Sequence, residues 1–309
     1  MQADEGVLRK MKCFDLQVNG AFGTDFSNPA ITEDAFLRCV EKILAKGVTR
    51  FLPTFPTSAM DTYRRNLPML DKLIDSHGLR YALPGFHIEG PFISKQPGAV
   101  GAHNPAWVLP PDIKTLDELI SLANGHISIL TVAAELPGIK EFINHAHDKG
   151  ICVSLGHEIA SEDDINQSGA DTMTHLGNGL PNLIDRHHNP IWTGLSKDDM
   201  TIMAITDGHH LPVNVLKCYL RCKGVDRFIA VSDACFVAGL PPGRYDSGIN
   251  EGVLEPNGKY HNPAKKCLIG ASMLLPECAA VLKRENLLSD ADIERVCWIN
   301  PHALLHLPL

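Results

Sequence analysis

The sequence lacks the features that would place it in a membrane or an oxidising compartment. Among its 309 residues no apolar run approaches the roughly 18–20 residues that cross a bilayer. The polar and charged stretch from Met1 to Lys12 does not resemble a signal peptide. The nine cysteines contain no CxxC pair, and an odd count without a framework indicates reduced thiols. We therefore expect a soluble, cytoplasmic protein with no membrane partner.

Positive charge is also scarce. The chain has 28 Lys and Arg against 36 Asp and Glu, which gives a formal net charge of -8. Nucleic-acid binding relies on clustered Lys and Arg, so no nucleic-acid partner is expected. The sequence contains no linker, low-complexity tract or internal repeat beyond a βα rhythm. We predict a single domain over residues 1–309, large enough to bury a core without disulfides.

Short β-branched runs followed by helical patterns recur along the chain. Eight runs are predicted strands: Cys13–Val18, Thr49–Thr54, Tyr81–Ile88, Ile127–Val132, Ile151–Leu155, Asp171–His175, Thr201–Thr206 and Arg227–Ser232. Predicted helices include Glu33–Lys46, Thr62–Ser76, Ile113–Ala123, Lys140–Lys149 and Val213–Cys222. Several strands are apolar on both faces, which is typical of a parallel sheet covered by helices. Eight such units predict a (β/α)8 TIM barrel, whereas an open doubly wound sheet usually has fewer.

Two connections are much longer than the others. Ser94–Pro111 follows the third predicted strand and is rich in Gly, Pro and Asn. Phe236–Gly270 follows the eighth, and its Pro-Pro-Gly and Asn-Gly turns predict a hairpin excursion. Long loops in compact domains are usually functional, and both of these leave the carboxyl ends of strands.

Polar side chains collect at the predicted strand ends, where barrel enzymes build their active sites. They are Gln17, Asn19, His87, Glu89, Glu135, His157, His175, Asp207, His210 and Asp233. A catalytic zinc site takes about three protein ligands of the His and carboxylate type and leaves one position open. Glu89, His157 and His175 would supply such a set, although each alone has a structural interpretation.

Three further features of the predicted mouth suggest chemistry. Asp233 ends the eighth strand, where a carboxylate beside a metal could move protons, or could simply shape a turn. His103 lies on the first long loop and could polarise a carbonyl or be solvated. The cationic run Arg186–His188 could capture an anionic group or be an exposed loop.

Ten short segments, in the same order between about residues 15 and 303, resemble the N-acetylglucosamine-6-phosphate deacetylases of the amidohydrolase superfamily. They are Asp15–Gly20, Leu52–Thr54, His87–Phe92, Gly101–Asn104, Ala133–Glu135, Val153–His157, Thr174–Asn178, Asp207–His210, Val231–Ala234 and Gly270–Ser272. Any one of these matches is weak, but ten in order identify the chain as resembling this family over nearly its whole length.

The resemblance implies a metal-dependent removal of an acetyl group from an amino sugar. It implies that Glu89, His157 and His175 bind one divalent metal, zinc, and that Asp233 is the general base and acid. His103 would help to bind the acetyl carbonyl oxygen. The superfamily often carries a His-x-His pair after the first strand for a second metal. Here those positions are Gln17 and Asn19, so one metal is expected, with Gln17 nearby through water or as a weak ligand.

The resemblance also implies a substrate and an assembly. Asn178, Gly179, Arg186 and His210 fall where the family recognises a sugar phosphate and its hydroxyls, so N-acetylglucosamine 6-phosphate is the expected substrate. In some family members the arginine matching Arg186 reaches into the neighbouring subunit's site, which implies a homodimer.

The sequence departs from the family in two places. Gly177 and Gly179 stand where the family has an aromatic residue and an alanine, which predicts a roomier pocket wall. The family's small β-sandwich is expected to be absent or vestigial, because only 14 residues precede Asp15 and the chain ends at Leu309. Two alternatives stay open: hydrolysis of a cyclic amide or another N-acyl amine at the same metal site, and a non-catalytic sugar-phosphate-binding barrel.

Overall fold

A computed structural model of the chain describes residues 11–309. The first ten residues, on which part of the signal-peptide argument rests, lie outside the described residues. The central feature is an eight-stranded parallel sheet whose strands are hydrogen-bonded in chain order. Its strands are β1 (Phe14–Val18), β4 (Arg50–Pro56), β5 (Phe86–Glu89), β6 (Ile127–Val132), β7 (Cys152–Leu155), β8 (Thr172–Met173), β9 (Thr201–Ile205) and β10 (Phe228–Val231). The predicted (β/α)8 barrel is confirmed.

The barrel closes between its first and last strands through side chains as well as backbone. Beyond the strand ends, Val18 and Ala234 form a parallel bridge. Deeper in the seam, Asp15 accepts hydrogen bonds from the Ser232 amide at 3.1 Å and its hydroxyl at 2.5 Å. Burial raises the pKa of Asp15 to about 7, and the Ser232 hydrogen bonds oppose that rise. The hydrogen bonds between Asp15 and Ser232 therefore take the place of a continuous backbone hydrogen-bond ladder between β1 and β10.

Helices cover the outside of the barrel, and the longer ones present an apolar stripe at helical spacing. The first, for example, is capped by the Thr32 hydroxyl and buries Phe36, Cys39, Val40 and Ile43. The α-helices are α1 (Glu33–Ala45), α2 (Met60–Ser76), α3 (Ile113–Leu122), α4 (Ile139–Asp148), α5 (Glu162–Ser168), α6 (Pro190–Ser196), α7 (Val213–Lys223), α8 (Leu275–Arg284), α9 (Asp290–Glu294) and α10 (Asn300–Leu304). None of the helices in the described part of the chain is long and apolar enough to cross a membrane.

Two of the predicted strands are longer than the corresponding strands in the structure. The run Tyr81–Ile88 becomes a strand only at Phe86, because the amides of Ala82 and Leu83 both bond back to the Leu79 carbonyl in a turn. The run Asp171–His175 is a strand only over Thr172–Met173. His175 has a φ of +29°, so the chain has left the extended conformation by that residue.

The long connection after β10 forms more than the predicted hairpin. It contains a four-stranded antiparallel sheet, with β11 (Gly243–Asp246), β12 (Glu251–Leu254), β13 (Tyr260–Asn262) and β14 (Cys267–Leu268) in that order. A short hairpin, β2 (Gly20–Ala21) with β3 (Thr24–Asp25), is the third sheet of residues 11–309. The Asn250 amide donates to the Ala102 carbonyl at 2.9 Å, which ties the excursion to the first long loop.

Candidate active site

A cavity of about 430 Å³ opens at the carboxyl ends of the barrel strands. Both long loops contribute to its walls, as their lengths suggested. The predicted functional residues that line it are Glu89, His103, His157, His175, Asn178, Gly179, His210 and Asp233. Gln17 lies behind them, fully buried on β1. Arg186 does not line the cavity of its own chain.

The Glu89 carboxylate is the centre of this cluster. Its Oε1 atom lies 2.8 Å from His175 Nε2, 3.2 Å from His157 Nε2 and 3.0 Å from the Gln17 amide nitrogen. Burial alone would raise the pKa of Glu89, but its close interactions with the surrounding histidines together outweigh burial and lower that pKa well below its ordinary value. Glu89 is therefore an anion in the floor of the cavity.

The hydrogen-bond partners of His157 and His103 show which ring nitrogen carries the proton in each residue. His157 Nδ1 lies 2.8 Å from the Ala99 carbonyl, so Nδ1 carries the proton and Nε2 presents a lone pair. His103 is the reverse, because the Thr57 amide donates to its Nδ1 at 3.1 Å and leaves the proton on Nε2. Burial, with the nearby His157, lowers the pKa of His103 to about 3, so the ring is neutral.

The donor set fits a divalent cation. Glu89 Oε1 and His157 Nε2 are both acceptors, yet they lie 3.2 Å apart in a buried cluster, which a cation between them would stabilise. Ligand atoms of Glu89, His103 and His157 all lie within 4.8 Å of one another. Since His103 Nε2 carries a proton, His103 is better suited to donate a hydrogen bond than to bind metal. His175 Nε2, 2.8 Å from the same Glu89 oxygen, completes one carboxylate and two imidazoles.

The backbone at these strand ends is unusual. His157, His175 and Asp233 have φ values of +53°, +29° and +52°, in the left-handed region that non-glycine residues rarely adopt. Two glycines make room for the His157 ring: a Cβ on Gly101 would lie 3.0 Å from it, and one on Gly179 would lie 2.7 Å from it. Strain of this kind is often concentrated at active sites.

Asp233 is hydrogen-bonded to Asn19, which follows the end of β1. The Asn19 side-chain amide donates to Asp233 Oδ1 at 2.6 Å. Burial, together with the neighbouring Glu89 carboxylate, raises the pKa of Asp233 above its ordinary value. Asn19 lines the same cavity, one residue beyond the end of β1. The sequence placed Asn19 among the polar side chains at the strand ends, and the structure adds its pairing with Asp233.

His210 is held by a neighbouring carboxylate. Asp207 Oδ2 lies 2.7 Å from His210 Nδ1, and Asp207 Oδ1 accepts the amides of His209 and His210. Burial opposes ionisation of Asp207, but the interactions with His210 and the His209 amide together outweigh burial and lower the pKa of Asp207. Asp207 thus orients the His210 ring, which lines the cavity.

The wall after β8 differs from the prediction. A Cβ on Gly177 would lie 2.6 Å from the Tyr219 hydroxyl and 3.1 Å from Leu211 Cδ2, so neighbouring side chains already fill that space. The space beside Gly179 is likewise taken by His157. The expectation of a roomier wall at Gly177 and Gly179 is therefore wrong.

The cationic run after β8 lies at the surface. Arg186, His187 and His188 are exposed, and the Trp192 indole donates to the Arg186 carbonyl at 2.9 Å. The same surface carries exposed apolar side chains, with Leu183 93 % and Trp192 54 % exposed. Within one chain, the predicted anion-binding role of Arg186 has no geometric basis.

Comparison with known proteins places this site in a family. No family model matches the chain. It is 34 % identical over 253 residues to the N-acetylglucosamine-6-phosphate deacetylase of Bos taurus, a match covering 77 % of this chain and 60 % of that protein. It is 28 % identical over 235 residues to the N-acetylgalactosamine-6-phosphate deacetylase of Escherichia coli O157:H7, covering 75 % and 61 % respectively. The chain thus spans about three fifths of the length of these relatives.

A solved structure gives the same result. The N-acetylglucosamine-6-phosphate deacetylase of Pasteurella multocida superimposes with a TM-score of 0.82 at 26 % identity, covering 96 % of this chain and 76 % of that one. The resemblance in the sequence motifs is confirmed: most of the homologues of this chain, and the solved structure above, are N-acetylglucosamine-6-phosphate deacetylases of the amidohydrolase family.

Proposed function

We propose that this protein hydrolyses the acetamide of an N-acetylated amino-sugar phosphate, with N-acetylglucosamine 6-phosphate yielding glucosamine 6-phosphate and acetate. The observation that carries the proposal is the convergence of Glu89, His157, His175 and Asp233 in one cavity at the barrel's carboxyl end. The named activities of the relatives support the substrate class.

We propose further that Glu89, His157 and His175 hold one divalent ion, zinc. One carboxylate with two imidazoles is a donor set that catalytic zinc sites use. When bound, the ion supplies Lewis acidity, which polarises a carbonyl and lowers the pKa of water towards about 7. The Gln17 amide donates to Glu89 and thereby orients the carboxylate, while its buried Oε1 atom has no partner among residues 11–309.

Asp233 moves the protons in this scheme. Its carboxylate takes a proton from the attacking water as oxygen bonds to the acetamide carbon. When the carbon–nitrogen bond breaks, Asp233 gives that proton to the departing amine, and acetate is released. Asn19 fixes one carboxylate oxygen, so the other is the oxygen directed to the reacting atoms.

His103 and the opposite wall bind and orient the substrate. The Nε2–H of the neutral His103 ring lies 3.1 Å from the lone pair of His157 Nε2. When a metal takes that lone pair, the Nε2–H is free to donate to the acetyl carbonyl oxygen, where negative charge develops. On the sugar side we assign Asn178, Gly179 and the Asp207-held His210, all at or beside the cavity wall. Their loss should weaken binding and positioning more than bond breaking.

We also propose a cytoplasmic homodimer in which Arg186 acts on the partner's cavity. Arg186 is exposed beside the apolar side chains of Leu183 and Trp192, and contiguous exposed apolar surface is typical of interfaces. All nine cysteines are free thiols, as expected in a reducing compartment. Mixing subunits carrying Asp233→Asn with subunits carrying Arg186→Gln tests the assembly. Restored activity supports action across the interface, and no restoration in a verified mixed dimer contradicts it.

Amine release from a matched substrate panel tests the activity. The panel contains N-acetylglucosamine and N-acetylgalactosamine, each with and without a 6-phosphate, and Asp233→Asn serves as the inactive control. We expect turnover of the phosphorylated sugars at a far higher kcat/KM. Hydrolysis of a cyclic amide or an unrelated N-acyl amine, without turnover of any amino sugar, would refute the proposal.

A further inference from the structure

More acidic than basic side chains line the cavity. Three carboxylates line it, those of Asp25, Glu89 and Asp233. Among residues 11–309, Lys266 is the only Lys or Arg that lines it. Apart from the proposed metal ion at Glu89, a phosphorylated substrate that enters this cavity therefore meets one Lys or Arg side chain among residues 11–309, that of Lys266. A single cation at such a place has a large relative effect on the binding of an anion.

Lys266 stands on an anchored turn between β13 and β14. Asn262 Oδ1 accepts the Lys265 amide at 2.9 Å, and the Lys265 ammonium donates to Asn250 Oδ1 at 2.6 Å. Asn250 in turn donates to the Ala102 carbonyl, on the loop that carries His103. The turn is thus tied to the active-site rim by hydrogen bonds rather than left to project into solvent.

The Lys266 side chain itself has no hydrogen bond or ion pair with any residue from 11 to 309. Its neighbour Lys265 is engaged by Asn250 and does not line the cavity. Lys266 has a φ of +54°, in the left-handed region that is uncommon for a residue with a side chain. The two adjacent lysines therefore differ in both partner and location.

We propose that Lys266 binds the phosphate of the substrate from within the same chain. The inference rests on the proposed function and adds a specificity-determining residue to it. An ammonium on a flexible stem acts as a point charge and can reach a phosphate without the bidentate geometry that Arg needs. Because Arg186 lies outside its own chain's cavity, Lys266 is the cation that each chain offers to its own substrate.

Substitution of Lys266 with a neutral residue gives the test. We compare Lys266→Gln, Lys266→Arg and the control Lys259→Gln, an exposed lysine of the same excursion that does not line the cavity, on N-acetylglucosamine with and without the 6-phosphate. A hydrogen bond to a charged group contributes enough for a loss of about tenfold or more. For Lys266→Gln we expect that loss in kcat/KM on the phosphorylated sugar, carried by KM, with the unphosphorylated sugar unchanged. Lys266→Arg should recover most of it, and Lys259→Gln should behave as wild type.

Binding of product separates this proposal from the proposed function. Calorimetric titration of metal-loaded protein uses glucosamine 6-phosphate, glucosamine and inorganic phosphate as probes. Wild type should bind the sugar phosphate, and Lys266→Gln should bind it about tenfold or more weakly while binding glucosamine equally. If wild type binds and hydrolyses the sugar phosphate and Lys266→Gln equals it, the role of Lys266 is refuted alone. If wild type neither binds nor hydrolyses it, the proposed function fails.

Discussion

The hydrogen bond from Asn19 to Asp233 leads to a quantitative prediction about catalysis. At 2.6 Å the amide donates to a carboxylate whose pKa burial and Glu89 already raise. Removing the donor with Asn19→Ala leaves Asp233 less well oriented and its anion less stabilised. Hydrogen bonds to charged groups contribute about 1.5–3 kcal/mol. At about 1.4 kcal/mol per tenfold, kcat should fall by roughly 10- to 150-fold.

The assay separates this positioning role from a purely structural one. Asn19→Ala should keep its metal content and its unfolding temperature close to wild type, because the Asn19 backbone amide still donates to the Ala234 carbonyl. KM should change by less than kcat, since Asn19 acts through Asp233 rather than on the substrate. Asn19→Asp, which sets a second carboxylate beside Asp233, should lose more. An Asn19→Ala enzyme with wild-type kcat would refute the assignment, as would one whose whole loss lies in KM or metal content.

Three further predictions concern other parts of the molecule. Asp233→Asn should retain about one zinc per chain yet lose on the order of 10³-fold in kcat; substantial residual turnover would contradict its role as base. Elemental analysis of wild type should find one divalent ion, removable by chelator with loss of activity, and two ions would contradict the one-metal argument. At the opposite end of the barrel, burial lowers the pKa of His302, whose Nε2 accepts from Arg50 and whose Nδ1 donates to the Trp298 carbonyl. The contribution of neutral His302 to stability is complete above the unfolded-state pKa of about 6.5 and declines as pH falls towards the lower folded-state pKa. Urea unfolding from pH 7.5 to 5 should therefore show a steeper loss of unfolding free energy for wild type than for His302→Gln. Parallel curves for the two proteins would contradict this prediction.

The fold and the acidic centre of the site were predictable because both depend on local pattern. A parallel strand buried on both faces is a short apolar run, and the eight runs differ from the eight strands mainly at their ends. In a barrel the carboxyl ends of all strands meet at one mouth. Once the strands are assigned, residues at their ends, such as Glu89 and Asp233, must face a shared space. No knowledge of loop structure is needed for that step.

What could not be predicted depends on pairs that are far apart in sequence. Asn19 and Asp233 are separated by 214 positions, and His103 receives its proton-assigning hydrogen bond from Thr57 on another loop. A local sequence pattern does not show which distant residues meet. It therefore does not reveal that β1 closes against β10 and brings Asn19 next to Asp233. The wrong expectation at Gly177 has the same origin, because the space left by a missing side chain there is filled by Tyr219 from α7.

The same reasoning explains why the sequence pattern pointed to Arg186, rather than to Lys266, as the cation that binds the substrate's phosphate. Arg186 lies in a short run of cationic residues, which is a visible local signal, but the run is exposed and outside its own cavity. Lys266 is one of two adjacent lysines in an apparently ordinary turn. Only the antiparallel register of β13 with β14, and the tie from Asn250 to Ala102, bring that turn to the rim. Strand ends therefore determine the chemistry of this barrel, whereas the excursion after β10 determines which anion it admits. The comparison of Lys266→Gln with Lys259→Gln tests that division directly.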